Sequence, residues 1–222
     1  MNAKAAAGTG PGATPSSGLI TGNTYPKYET RNPIARHLVA GYLDAFDAMI
    51  DRADDTDILE VGCGEGVLAV RMATRLAAAG RRYRIRGIDI GADVINEARA
   101  RAVANEIEIA FDCRSVHDLS PPADAADLVI ACEVMEHLEA PEEALATIAS
   151  LARSHVLLSV PREPLWRLLN MARGKYLGTW GNTPGHVQNW SAAQFLDLIA
   201  GHLDIVEVAA PLPWTMVLAR KP

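Results

Sequence analysis

Two periods of hydrophobicity alternate along this chain. Short apolar runs with the period of a strand fall at 83–89, 107–112, 127–132, 156–160, 203–208 and 214–218, and a further apolar run ends at Val61. Between them lie stretches with helical spacing. The longest, from Pro33 to about Ile50, places Ile34, Leu38, Val39, Tyr42, Leu43, Phe46 and Ile50 on one face. Further helices are expected from near Val67, from Ala92 to Ala104 and from Pro141 to Leu151. Strands that alternate with helices of this length predict an α/β fold, a doubly wound and mostly parallel sheet covered by helices on both faces.

The chemistry collects where strands end. Leu59-Glu60-Val61-Gly62-Cys63-Gly64-Glu65-Gly66 is an apolar strand end running into a turn with glycines at alternating positions. Glycine there allows positive φ and close approach of backbone to a ligand. A dinucleotide loop would read G-x-G-x-x-G, which Val67 interrupts, and Glu60 and Glu65 would set like charge beside a pyrophosphate. Carboxylates suit a cationic ligand. The alternative is a tight strand-to-helix turn carrying two solvated glutamates. The second strand ends at Asp89, about 20 residues beyond the loop, where an acid accepts from ribose hydroxyls in doubly wound folds. Asp89 is also placed to cap the following helix. Asp112 and Cys113 end the third strand, Asp112 as a candidate acceptor for an adenine amino group. Cys132 ends the fourth and runs into Glu133-Val134-Met135-Glu136-His137-Leu138; the backbone around Ala131 and Cys132 is a candidate holder of a ligand carboxylate.

These motifs resemble the class I S-adenosylmethionine-dependent methyltransferases, in the style of the ubiquinone-biosynthesis and related small-molecule enzymes. The resemblance rests on Glu60 to Gly66, on Gly87-Ile88-Asp89-Ile90, on Asp112 and on Glu133 to Leu138, and runs from Asp57 to the C-terminus. It implies a Rossmann-like, mostly parallel seven-stranded sheet with an antiparallel last strand. It also implies S-adenosylmethionine as cofactor, with S-adenosylhomocysteine as product, contacted by Glu60, Gly62, Cys63, Gly64, Gly66, Asp89, Ile90, Asp112, Cys113, Cys132 and Tyr28. The acceptor is left open, because one scaffold serves many.

Composition narrows the rest. The chain has 222 residues, enough for one domain without disulfides or metal. A net charge of -6, with acids and bases interspersed, disfavours a nucleic-acid footprint. Three cysteines without C-x-x-C spacing fit neither a disulfide framework nor a thiolate metal site, and point to a reducing, cytoplasmic setting. No run is long enough for a membrane span, and the N-terminus lacks the apolar core of a signal peptide. Residues 1–23, rich in Ala, Gly, Pro, Ser and Thr, read as a disordered tail ahead of one domain over 24–222.

Two regions are candidates for the acceptor. Residues 24–52 correspond to a lid over the cofactor in look-alike enzymes, with Tyr25 and Tyr28 as ligand contacts or as packing residues. Residues 161–190 form an insert holding Trp166, Tyr176, Trp180 and Trp190, in a chain only 5% aromatic, together with Arg162, Arg167, Arg173 and Lys175. Flat apolar walls with cationic handles would fit an acceptor bearing a carboxylate or phosphate, with Trp166, Tyr176, Trp180, Arg162 and Tyr25 as contacts. The alternative is that the tryptophans pack the insert onto the domain. His137 and His186 are expected to line the acceptor pocket, one of them as general base. Glu133, Glu136 and His137 stand at i, i+3 and i+4, so a helical turn would set them on one face and, with His186, make a two-Glu, two-His metal set like that of the small-RNA 3′-end 2′-O-methyltransferases. The Glu-Val-x-Glu-His segment also occurs in metal-free relatives, which favours no metal. Transfer to a small molecule, by O-methylation or at N or C, is thus the first expectation; a metal-dependent RNA 2′-O-methyltransferase and a non-catalytic S-adenosylmethionine-binding protein are the alternatives.

Overall fold

A computed structural model describes Tyr28 and residues 30–222. The 1–23 tail and Tyr25 lie outside the described residues. Seven strands, β1 (Asp57–Val61), β2 (Arg84–Asp89), β3 (Ala110–Cys113), β4 (Ala126–Cys132), β5 (Ala152–Pro161), β6 (Asp204–Ala209) and β7 (Trp214–Arg220), form one sheet. Its order is β3-β2-β1-β4-β5-β7-β6. β7 runs antiparallel to β5 and β6 on either side, and the other pairings are parallel. The helices are α1 (Pro33–Ala53), α2 (Val67–Ala78), α3 (Ala92–Ala104), α4 (Pro141–Leu151), α5 (Leu165–Ala172) and α6 (Ala192–Ala200).

Strand alternation sends side chains to two cores. Ile58, Leu128, Ile130 and Leu157 pack with Phe46 of α1, Leu68 and Met72 of α2 and Ile95 of α3. Their neighbours Leu59, Val129, Val156 and Leu158 pack on the opposite face with Leu145 and Ile148 of α4 and Phe195 and Ile199 of α6. Helix starts follow local chemistry. The Asn32 side chain accepts from the amides of Ile34 and Ala35, with Pro33 in the first turn, and Ser191 with Gln194 makes a capping box on α6.

Strand limits shift where another element claims the backbone. The third strand begins at Ala110, not Ile107, because Ile107 N–H donates to Ala102 O and Glu106 N–H to Val103 O in ending α3, with Glu106 at φ 56°. β5 is longer than its apolar run, since β4 pairs with it from Ala152 and β7 from His155 to Pro161. The turn after β4 is not one regular helical turn: Glu133 sits at φ 60° and a 3-10 turn covers only Met135–His137. Among the described residues no helix is long and apolar enough to cross a membrane.

Candidate active site

A cavity of about 580 Å³ opens at the C-terminal ends of β1, β2 and β4. Its floor is the glycine loop. Gly62, Gly64 and Gly66 have φ of 68°, 50° and 73°, which explains the alternating glycines by a left-handed backbone requirement. Space adds a second reason: a Cβ on Gly62 would fall 2.4 Å from a Val134 methyl. Asp89 ties the loop down, since Gly64 N–H donates to its Oδ2 at 3.0 Å and Gly91 N–H to its Oδ1 at 2.9 Å. It thereby supports the loop and opens α3, and it faces the cavity from the end of β2. Glu60 is buried and also lines the cavity.

Of the residues expected at the cofactor, Tyr28, Glu60, Gly62, Cys63, Gly64, Asp89, Ile90 and Cys132 line this cavity, and Gly66 closes the turn behind it. Asp112 and Cys113 do not line it; they are exposed on β3, while the wall beyond that strand is made by Arg114, Ser115, Val116 and His117. This wall was not anticipated. A capping box in which Ser115 and Asp118 exchange hydrogen bonds was its readable signal, because it fixes a turn facing the crevice. Burial pushes the Cys132 thiol up to about 12 and the Cys63 thiol higher, so both stay protonated beside the cavity.

Of the two histidines expected there, the opposite wall carries His137; His186 packs against it without lining the cavity. His137 lines the cavity with Gly185 and Val187 of the insert, and its Nδ1 lies 2.9 Å from Gly185 O. The His186 ring meets it edge-on at 5.0 Å and has Trp166 stacked at 6.1 Å. Trp166 continues to Trp214, and Trp214 to Tyr42, as a row of packed aromatic rings; Trp166, expected as an acceptor contact, is not a cavity residue. Glu136, His137 and His186 each present a donor atom, all within 4.8 Å of one another, a set of oxygen and imidazole ligands that a divalent cation could use. Glu133 stands apart from that trio: its left-handed backbone turns it toward β7, where Trp214 Nε1–H donates to its Oε2 at 2.8 Å.

Most of the insert stays outside the cavity. Trp180 is 75% exposed, and Trp190 packs on Phe195. Tyr176 and Arg162 are not cavity residues either. Two of the cations have local duties: Arg167 Nε–H donates to Trp180 O, and Arg173 to Asn170. The cationic handles are therefore not aimed into the cavity, and the insert reaches it through Gly185 and Val187 instead.

Residues 58–155 match the family described as methyltransferase domain. That stretch, less than half of the chain, is similar to the class I S-adenosylmethionine-dependent methyltransferases. It is 32% identical to a ubiquinone biosynthesis O-methyltransferase of Aeromonas salmonicida, over 54% of this chain and 50% of that one. It is 35% identical to the protein of the same name from Neisseria meningitidis serogroup C, over 43% of this chain and 39% of the relative. The chain thus spans half or less of the length of the curated relatives it matches. In fold it is similar to magnesium protoporphyrin IX methyltransferase from Synechocystis PCC 6803, solved with bound S-adenosylhomocysteine. That likeness has a TM-score of 0.66 at 19% identity, over 88% of this chain and 91% of the other. The methyltransferase domain covers the glycine loop, Asp89 and the β4 turn; the insert lies beyond it.

Proposed function

We propose that this chain moves the methyl group of S-adenosylmethionine to an oxygen or nitrogen of a small-molecule acceptor held against His137. The carrying observation is that one cavity joins the glycine loop, Glu60 and Asp89 to His137 and Gly185 on its opposite wall. The donor set fits the cofactor: a carboxylate floor suits its cationic end, Asp89 suits ribose hydroxyls and the glycine backbone permits close approach. When bound, S-adenosylmethionine supplies an electrophilic methyl on sulfur. The chain supplies geometry. Holding acceptor and methyl in line accounts for several powers of ten in rate, and His137 takes a proton from acceptors that need to lose one. The relatives' name, ubiquinone biosynthesis O-methyltransferase, makes a phenolic hydroxyl the first acceptor to try.

A second reading has its own observation, the grouping of Glu136, His137 and His186. On the first reading activity survives EDTA, and His137→Ala lowers turnover by about 10² to 10⁴, less at high pH where a phenol ionises unaided. S-adenosylhomocysteine binding stays within a few fold. Loss of activity in EDTA, restored by Mg²⁺ or Mn²⁺, would replace the histidine base with a metal-assisted transfer. Failure of the wild type to bind S-adenosylhomocysteine by calorimetry would sink both.

A further inference from the structure

The two nitrogens of His137 are made unequal by a carbonyl. Gly185 O, 2.9 Å from Nδ1, accepts but does not donate. Nδ1 therefore carries the hydrogen, and in the neutral ring Nε2 keeps its lone pair. What fixes that carbonyl lies outside the cavity. Gly185 sits in a turn closed by His186 N–H to Thr183 O at 3.1 Å, with Gly185 at φ 87°.

That turn is gripped from α5. Trp166 Nε1–H donates to Thr183 Oγ1 at 2.9 Å, and Asn170 Nδ2 donates to the same oxygen at 3.2 Å and to Gly181 O at 2.9 Å. Asn170 is 1% exposed and Thr183 7%, so these bonds are made away from water, where losing one leaves a costly orphan. Arg173 donates to Asn170 Oδ1, which fixes which end of the amide faces Thr183. Gly181 packs so tightly that a Cβ there would come within 2.3 Å of Arg167 O. On the far side, the amides of Val187 and Gln188 donate to Glu136 O at 2.9 and 3.0 Å, which ties the same loop to the turn bearing His137.

We propose that Asn170 and Thr183 are positioning residues: by locking the 181–186 turn they aim Gly185 O at Nδ1, holding His137 as the Nδ1–H tautomer with Nε2 facing the acceptor. This rests on the reading of His137 as proton acceptor, but the tautomer can be read without any acceptor.

The test is long-range ¹H–¹⁵N correlation on the full chain labelled with ¹⁵N-histidine, in EDTA at about pH 8.5, where an ordinary imidazole is neutral. His137 is assigned by the signal lost in His137→Gln. Wild type is expected to show the Nδ1–H pattern, Thr183→Val and Asn170→Ala a shift toward Nε2–H or a mixture, and Thr183→Ser the wild-type pattern. Trp166→Phe, which removes one donor and keeps an aromatic ring, should give an intermediate result and covers the case in which Asn170→Ala fails to fold. An Nε2–H pattern in wild type overturns the proposal, as does an unchanged tautomer in folded Thr183→Val. S-adenosylhomocysteine binding on the same samples separates the two failures: its absence in wild type sinks the methyltransferase reading and leaves the tautomer result standing.

Discussion

One methyl group at Gly66 would meet Ala98 Cβ and Phe111 Cζ, each at 3.0 Å, on a backbone at φ 73° that side chains rarely adopt. Gly66→Ala should therefore lower stability by about 1 kcal/mol or more and weaken S-adenosylhomocysteine binding through the displaced loop. Asp89→Ala should act differently. It removes the acceptor of two loop amides and the proposed ribose partner, so affinity should fall about tenfold or more while the denaturation midpoint moves less. Calorimetry and urea unfolding on both variants check the contrast. Unchanged affinity in both would misplace the cofactor. The left-handed backbone was legible from the glycine spacing, whereas the steric demand of Val134 on Gly62 was not. The second task of Asp89, holding Gly64, was not, since hydrogen bonds between β1 and β2 loops are set only once the two strands pair.

At the scale of elements, α3 and α4 begin and end where their sequences indicate, whereas β3 does not. Helical limits follow local periodicity and caps, while a strand exists only where a neighbour pairs with it. The segment after β3 shows an ion pair worth testing. Arg114 bonds Asp124 at 2.6 Å, and the hydrogen bond from that guanidinium holds the Asp124 carboxyl below its ordinary value. A depressed carboxyl contributes stability that is present above the unfolded value, about 3.9, and lost as pH falls through the lower folded one. Wild type should thus exceed Asp124→Asn in urea midpoint by a constant margin from pH 7 to 5, a margin that shrinks below about pH 4. A gap that widens on acidification would contradict the assignment. Arg114 also lines the cavity, so Asp124→Asn is expected to loosen that wall and weaken S-adenosylhomocysteine binding slightly.

For the whole molecule, burial separates the three cysteines. Cys63 and Cys132 are buried under the cavity with raised thiol values, and Cys113 is exposed at the end of β3. Iodoacetamide at about pH 8 should modify Cys113 in the native protein and reach the other two only on unfolding, as peptide mass mapping would show. Rapid native labelling of Cys132 would mean that the cavity floor opens. The sequence by itself indicated the alternation of strands with α1 to α4, since alternating periods with short connections admit few topologies, whereas α6 was not read from it. It also marked the glycine loop proposed to hold the cofactor, because that pattern is contiguous from Glu60 to Gly66. The sequence did not determine which residues of the β4 turn and the insert meet. Folding turns Glu133 toward Trp214, brings His186 beside His137 across 49 positions of chain and leaves Trp180 in solvent. Those pairings depend on one left-handed residue at Glu133 and on the buried grip of Asn170 on Thr183, long-range consequences of packing that no local pattern encodes.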